Sequence, residues 1–273
     1  MAVLAFFCAM AVCVASSEAL ETGDVYRMIE QNDIVGVETA LEEGFEFDRA
    51  HVHNGKDVTV LEYAVLFGKP DIVALLLKAG ANPDKADGEG WTPLYYAILR
   101  ETMDKTRVQK QFDPGEVARV FDILLERGAN VNVVSAMGDT PLSYAVDGED
   151  YGRALIVSRK LLQAGAEPNP EVKKPPLFWA VEKSAASLEK DGTDRAGMVK
   201  LLLEAGADPN AQTEDGETPL HFATTDPAST TFLLQAGADP TIRDAKGKTP
   251  LELAKKGGDR EVATLLQEAA KGR

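Results

Sequence analysis

The sequence predicts an all-α solenoid built from stacked helix-turn-helix units, and three recurring features predict it. A Leu-x-x-Ala pair returns six times, at Leu61/Ala64, Leu94/Ala97, Leu142/Ala145, Leu177/Ala180, Leu220/Ala223 and Leu251/Ala254. Four of these are introduced by Thr-Pro (Thr92-Pro93, Thr140-Pro141, Thr218-Pro219, Thr249-Pro250), one by Pro175-Pro176 and the earliest by Thr59-Val60. Each of the first five pairs is followed by a leucine-rich stretch closing on Gly-Ala, as in Leu76-Leu77 before Gly80-Ala81 and Leu124-Leu125 before Gly128-Ala129. The same ending recurs at Gly165-Ala166, Gly206-Ala207 and Gly237-Ala238.

Each feature has a physical reason. A threonine hydroxyl caps the free N–H groups of a helix start, and proline fits the first helical position because its missing N–H would be unpaired there. Leu and Ala three apart then share one helix face. The second leucine-rich block is a second helix, and glycine ends it in the left-handed conformation at least cost. A polar stretch rich in Asn, Asp and Gly leads to the next unit. The repeating element is therefore helix, turn, helix, hairpin.

These residues resemble the ankyrin repeat, whose unit is about 33 residues with a Thr-Pro-Leu-His-x-Ala signature. Thr218-Pro219-Leu220-His221-Phe222-Ala223 matches it in full. The spacing from Leu61 to Leu94 is 33 residues and the later spacings are 48, 35, 43 and 31, so the period survives with insertions. The resemblance implies about seven units, near 21–48, 55–84, 88–132, 136–169, 170–210, 215–240 and 246–270, joined by β-hairpin-like fingers. In the degenerate first unit the helices are expected over Val25 to Gln31 and Ile34 to Glu42, with Gly44 as the stop. Two inter-helix insertions are expected, about Arg100 to Gly115 and about Ser184 to Thr193.

The repeats place the chain in one elongated domain, residues 20–273, in which each unit touches only its neighbours. The formal net charge is −15, and Glu21 to Asp48 alone holds nine acids against Arg27. Such a surface repels nucleic acid and stays soluble. Residues 1–19 form an expected signal peptide: Ala2 to Ala15 is uncharged and apolar, and Ser16-Ser17-Glu18-Ala19 supplies small residues for cleavage. No Lys or Arg precedes the apolar run, which leaves an uncleaved membrane anchor as the alternative. Both cysteines, Cys8 and Cys13, fall in this segment, so a cleaved chain carries no thiol.

No catalytic constellation stands out. The histidines are His51, His53 and His221, and no phosphate-binding Gly-x-x-x-x-Gly-Lys loop is present. His51-x-His53 has only Asp48 and Asp57 nearby as further ligands, which suits an exposed hairpin tip better than a zinc site. We expect no enzyme activity, no cofactor, no metal and no small-molecule substrate. The resemblance implies that His221 is structural, tying turns together by hydrogen bonds. The same position elsewhere holds Glu62, Tyr95, Ser143, Phe178 and Glu252, so that pattern is not expected to be uniform.

What remains is a surface for a protein partner. The residue after the signature histidine position reads Tyr63, Tyr96, Tyr144, Trp179, Phe222 and Leu253. This column either packs adjacent units or forms a stripe of anchors for a partner along the concave face. Trp91 sits at the base of a finger and serves either purpose. The finger sequences differ (Lys85 to Trp91, Val133 to Asp139, Pro170 to Lys174, Gln212 to Glu217, Arg243 to Lys248), as adaptable recognition needs. Lys105, Arg107 and Lys110 in the first insertion are either a solvated loop or a docking rim. The expected role is a non-catalytic scaffold in a periplasmic or secreted compartment that holds another protein. Resemblance to exported bacterial ankyrin-repeat proteins implies protection or assembly of a partner. The alternative is a secreted effector that binds a protein of a host or neighbouring cell.

Overall fold

The computed structural model describes residues 22–48, 51–53, 56–102, 114–191, 196–257 and 259–271. The expected signal peptide, and Lys105, Arg107 and Lys110, lie outside the described residues. Among the described residues the helices fall into consecutive pairs: α1 (Thr22–Gln31) with α2 (Ile34–Glu42), α3 (Val60–Leu66) with α4 (Pro70–Lys78), and α5 (Pro93–Thr102) with α6 (Pro114–Glu126). The series continues with α7 (Pro141–Val146) and α8 (Tyr151–Gln163), then α9 (Pro176–Asp191) and α10 (Ala196–Glu204). It ends with α11 (Pro219–Phe222) and α12 (Pro227–Gln235), then α13 (Pro250–Gly257) and α14 (Arg260–Lys271). The first helices of successive pairs pack on one another, as α3 on α5 and α5 on α7. The second helices do likewise along most of the stack, as α4 on α6 and α12 on α14.

The repeated residues build this order. Of the Leu-x-x-Ala pairs, all but Leu251 are buried, Leu94, Leu142, Ala64 and Ala145 completely. Leu76, Leu124, Leu161, Leu202, Leu233 and Leu266 of the second helices are fully buried against them. Removing one such side chain leaves a cavity bounded by two units. The terminal pair turns Lys255, Lys256, Arg260 and Lys271 to water.

Three of the five helix-starting threonines, Thr59, Thr140 and Thr249, cap as the sequence predicts. The Thr92 hydroxyl is instead buried without a hydrogen-bond partner among the described residues, and the Thr218 hydroxyl meets His221 Nδ1 and not a backbone N–H. At Thr59 the hydroxyl accepts from Glu62 N–H at 3.1 Å while Glu62 Oε2 accepts from Thr59 N–H at 2.6 Å. Thr140 with Ser143, and Thr249 with Glu252, repeat this reciprocal arrangement. The position assigned to the signature histidine thus has two separable duties. One is to accept from the threonine N–H at the start of its own helix. The other is to reach the next unit.

His221 performs both duties. Its Nδ1 accepts from Thr218 N–H at 3.0 Å, which leaves Nε2 to donate to the carbonyl of Lys248 at 3.1 Å. Tyr95 performs only the second, donating from its hydroxyl to the carbonyls of Val133 and Asp139. Glu62, Ser143 and Glu252 perform the first. Tyr26, in the degenerate first unit, donates to the Val58 carbonyl at 2.8 Å, the residue just before the Thr59 cap.

A second set of ties comes from the polar stretch after each Gly-Ala. Asn132 accepts from Glu167 N–H and donates to the Gly165 carbonyl. Asn169 does the same to Asp208 and Gly206, and Asn210 to Asp239 and Gly237. Asp48 and Asp84 occupy the equivalent places and accept from Asn82 and Asn130 N–H. Replacing Asn210 with Ala removes two such bonds at a half-buried site. The expected cost is about 1 kcal/mol, read from the urea midpoint.

Two features differ from expectation. Among the described residues only one connection is a paired hairpin, β1 (His51–His53) with β2 (Lys56–Val58); the other described fingers are turns without strand ladders. The stretch expected as the second insertion is mostly helix, because α9 continues to Asp191. Ala185-Ala186-Ser187-Leu188-Glu189-Lys190 contains no breaker, so the extra length extends the helix instead of looping out.

Candidate protein-binding groove

The fingers are set by one short pattern. Asp87, Ser135, Thr213 and Asp244 each begin a turn in which the side chain accepts from backbone N–H groups further along. Each turn closes through a backbone bond, as Ser135 N–H to the Asp139 carbonyl and Asp244 N–H to the Lys248 carbonyl, both at 2.9 Å. The third residue after each opener is a glycine with positive φ: Gly90, Gly138, Gly216 and Gly247.

The aromatic column divides where it meets these fingers. Tyr63 and Tyr96 are 3% and 8% exposed, packed between units. Their hydroxyls are taken up inside the protein, Tyr63 donating to Glu30 and Tyr96 to Asp87 at 2.6 Å. Burial raises the pKa of both phenols, and the carboxylates beside them raise it further. Trp91 stands half-buried at the centre of an aromatic cluster, its ring 5.5 Å from Tyr96, 5.2 Å from Tyr144 and 5.9 Å from Tyr95. Tyr144 is also half-buried, and borders a small cleft of about 200 Å³ with Leu99, Thr102 and Asp147.

Trp179 and Phe222 are arranged differently. They floor a cavity of about 430 Å³ whose walls are the fingers at Met137 to Asp139 and Thr213 to Glu217, with Lys173 and Lys174 between them. Met137 stands at the lip and is 78% exposed. Lys174 Nζ lies 3.7 Å from the centre of the Trp179 ring and is paired with Glu182. Phe222 meets Phe178 edge-on at 5.7 Å. Sequence reasoning named Trp179 and Phe222 and missed Met137, which lies outside the repeated column.

The arrangement offers apolar floor, aromatic faces and carboxylates, which is the chemistry of a polypeptide site. Among its described lining residues, none pairs a nucleophile with a base.

Comparison with known proteins agrees with this geometry. Residues 37–107 match the family model described as ankyrin repeats (many copies), and residues 185–272 match ankyrin repeats (3 copies). The crystal structure of the ankyrin repeat domain of Bcl-3, a member of the IkappaB protein family, superposes with a TM-score of 0.70 at 25% identity. That match covers 89% of this chain and 97% of the other. The human ASB11 ankyrin repeat domain shares the fold, with a TM-score of 0.62 at 24% identity over 90% of this chain and 96% of that one.

Among curated proteins, the E3 ubiquitin-protein ligase hecd-1 of Caenorhabditis elegans is 39% identical over 71 residues, 26% of this chain. The E3 ubiquitin-protein ligase Ufd4 of Drosophila melanogaster is 47% identical over 55 residues, 20% of this chain. The matched segment spans 2% of the length of each ligase, so the likeness is to a stretch of repeats and not to a whole ligase. The two family matches cover more than half of the sequence, and capped helix pairs, inter-unit ties and fingers run through both. The chain belongs to the ankyrin-repeat family, whose repeats serve as scaffolds for protein-protein interaction.

Proposed function

We propose that this protein is a non-catalytic scaffold that holds a partner protein in the groove floored by Trp179 and Phe222. The observation that carries this reading is the cavity itself. It combines two half-buried aromatic rings from successive first helices with an exposed methionine at its lip. Contiguous apolar surface rimmed by polar groups marks a contact site, and buried aromatics anchor such contacts. Tyr63 and Tyr96, packed inside the stack, contribute rigidity to the frame.

We place the scaffold in an exported compartment, periplasmic or secreted, on the strength of the apolar run from Ala2 to Ala15 and the small residues after it. There it protects or assembles its partner. The other reading of the same surface is an effector that leaves the producing cell. Fractionation distinguishes the two, since a scaffold is retained behind the envelope and an effector appears in the medium.

The test is in-cell cross-linking and capture with a C-terminally tagged full-length chain, beside a Trp179→Ala/Phe222→Ala variant with unchanged circular dichroism. Loss of an anchoring tryptophan is expected to weaken the captured partner's affinity by at least about tenfold. Equal recovery by both chains would move the site away from the groove.

A further inference from the structure

The groove exists because one finger is short. Nine positions separate Asp84 from Pro93, Asn132 from Pro141, Asn210 from Pro219 and Thr241 from Pro250, whereas Asn169 and Pro176 are seven apart. This finger, Pro170 to Lys174, also lacks the glycine that closes the others.

Two other pairs of neighbouring fingers are stitched by the backbone. Ala136 N–H donates to the Glu89 carbonyl at 3.1 Å, and Ala245 N–H donates to the Asp215 carbonyl at 2.7 Å. At the equivalent positions facing the short finger, the Met137 carbonyl and the Glu214 N–H have no partner among the described residues. The glycines record the same break. A Cβ on Gly90 would sit 2.9 Å from Ala136 N, and one on Gly216 would sit 3.4 Å from Ala245 N. Gly138 has nothing within 4 Å, like Gly247 on the last finger of the row. The row of fingers therefore has an end in the middle of the stack.

The walls of this vacancy are acidic. Asp139, Glu214, Asp215 and Glu217 line it, and none forms an ion pair among the described residues. Of the two lysines present, Lys174 is already held by Glu182 above the Trp179 ring. An open backbone donor and acceptor, a gap of about 430 Å³ and unpaired carboxylates together describe what would fill the space.

We infer that the notch beside the short Pro170–Lys174 finger receives a lysine- or arginine-bearing turn of the partner protein, which fills the space that the shortened finger leaves open. This deepens the scaffold reading above and rests on it. The turn's backbone meets Met137 and Glu214, its basic side chains meet the carboxylates, and its apolar part covers Trp179 and Phe222.

The chain supplies its own probes. Residues 243–249 form a basic finger and residues 212–218 an acidic one, both turned at a glycine of similar φ, 73° at Gly247 and 71° at Gly216. Each is made as a cyclic peptide and titrated into the full chain, with binding followed by fluorescence anisotropy and backbone and indole NMR shifts. The basic peptide is expected to bind at least about tenfold tighter than the acidic one and to shift the signals of Met137, Trp179 and Glu214. A Glu214→Gln/Asp215→Asn/Glu217→Gln variant is expected to lose at least about fivefold in that affinity. Replacing residues 170–175 with a copy of residues 242–249 restores nine-position spacing and is expected to abolish binding.

Binding of neither peptide, equal binding of both, or unchanged binding by the triple variant would overturn the inference. So would retention of binding by a folded finger-restored chain. If that graft does not fold, the triple variant decides. The scaffold reading fails separately, when the capture experiment finds no partner that depends on Trp179 and Phe222. A partner captured equally by parent and finger-restored chains leaves the groove in place and removes only the notch.

Discussion

Replacing Arg153 with Met is expected to destabilise the stack by about 3 kcal/mol, the typical loss when one member of a buried ion pair is removed. Glu101 is 6% exposed at the end of α5, and its Oε2 accepts from Arg153 Nη1 at 2.8 Å. Its other oxygen has no hydrogen-bond partner among the described residues. Burial pushes the Glu101 carboxyl above its ordinary value, and Arg153 is the largest influence pulling it back. Without the guanidinium the carboxylate is left desolvated or must take up a proton. A Glu101→Leu/Arg153→Met chain removes both charges and is expected to recover to within about 1 kcal/mol of the parent. Urea denaturation of the three chains measures this. A double variant no more stable than the single one would show that packing by the Arg153 stem, and not the stranded charge, sets the loss.

The second large effect is a pH dependence centred on Glu62. This residue is 1% exposed, and its Oε1 has no hydrogen-bond partner among the described residues. Burial pushes its carboxyl from 4.5 up to about 7; the Thr59 bonds oppose the rise and Asp87 adds to it. Because the folded value lies above the unfolded one, the folded chain holds this proton more tightly. The stability it contributes is fully present below pH 4.5 and is lost as pH rises through about 7. Between pH 5 and pH 8 the parent is expected to lose about 2–3 kcal/mol from this group. Glu62→Gln keeps an acceptor for Thr59 N–H and has no proton to release, so its stability profile should be flatter by that amount. Parallel profiles for the two chains, from urea midpoints across this range, would exclude Glu62 as the source.

The repeating frame was legible because its signals are local. Thr-Pro, Leu-x-x-Ala and Gly-Ala each act within one helix or one turn. In the first unit the second helix runs from Ile34 to Glu42 before Gly44 as read, while the first helix begins at Thr22, three residues ahead of Val25. The histidine position was harder to read. Residue type shows that Tyr95 cannot cap as Glu62 does, but only the fold brings its hydroxyl to Val133 and Asp139. Tyr26 was overlooked for the same reason, having no Thr-Pro before it.

Within the aromatic column, burial depends on the neighbouring unit. Tyr96 is enclosed beside Asp87 and Trp91, while Trp179 faces the space beside a shortened finger. That shortening was present in the sequence as a spacing of seven instead of nine. Counting from Leu to Leu hid it, because the interval from Leu142 to Leu177 is 35, close to the full period, with the lost residues offset by a longer α8.

The ties made from the histidine position and from the asparagines after Gly-Ala have a direction, whereas Tyr63 and Arg153 reach back to the unit before. Tyr26, Tyr95 and His221 reach forward in the chain, as do Asn132, Asn169 and Asn210, to partners 27 to 44 residues later. During synthesis each of these forward-reaching side chains is therefore made before the carbonyl it will meet. A unit leaving the ribosome waits with only a few hydrated polar groups unmatched until roughly one further repeat has followed, and then closes onto it. The stack is suited to growth in the order in which it is translated, one joint at a time, with no long-range pairing to await.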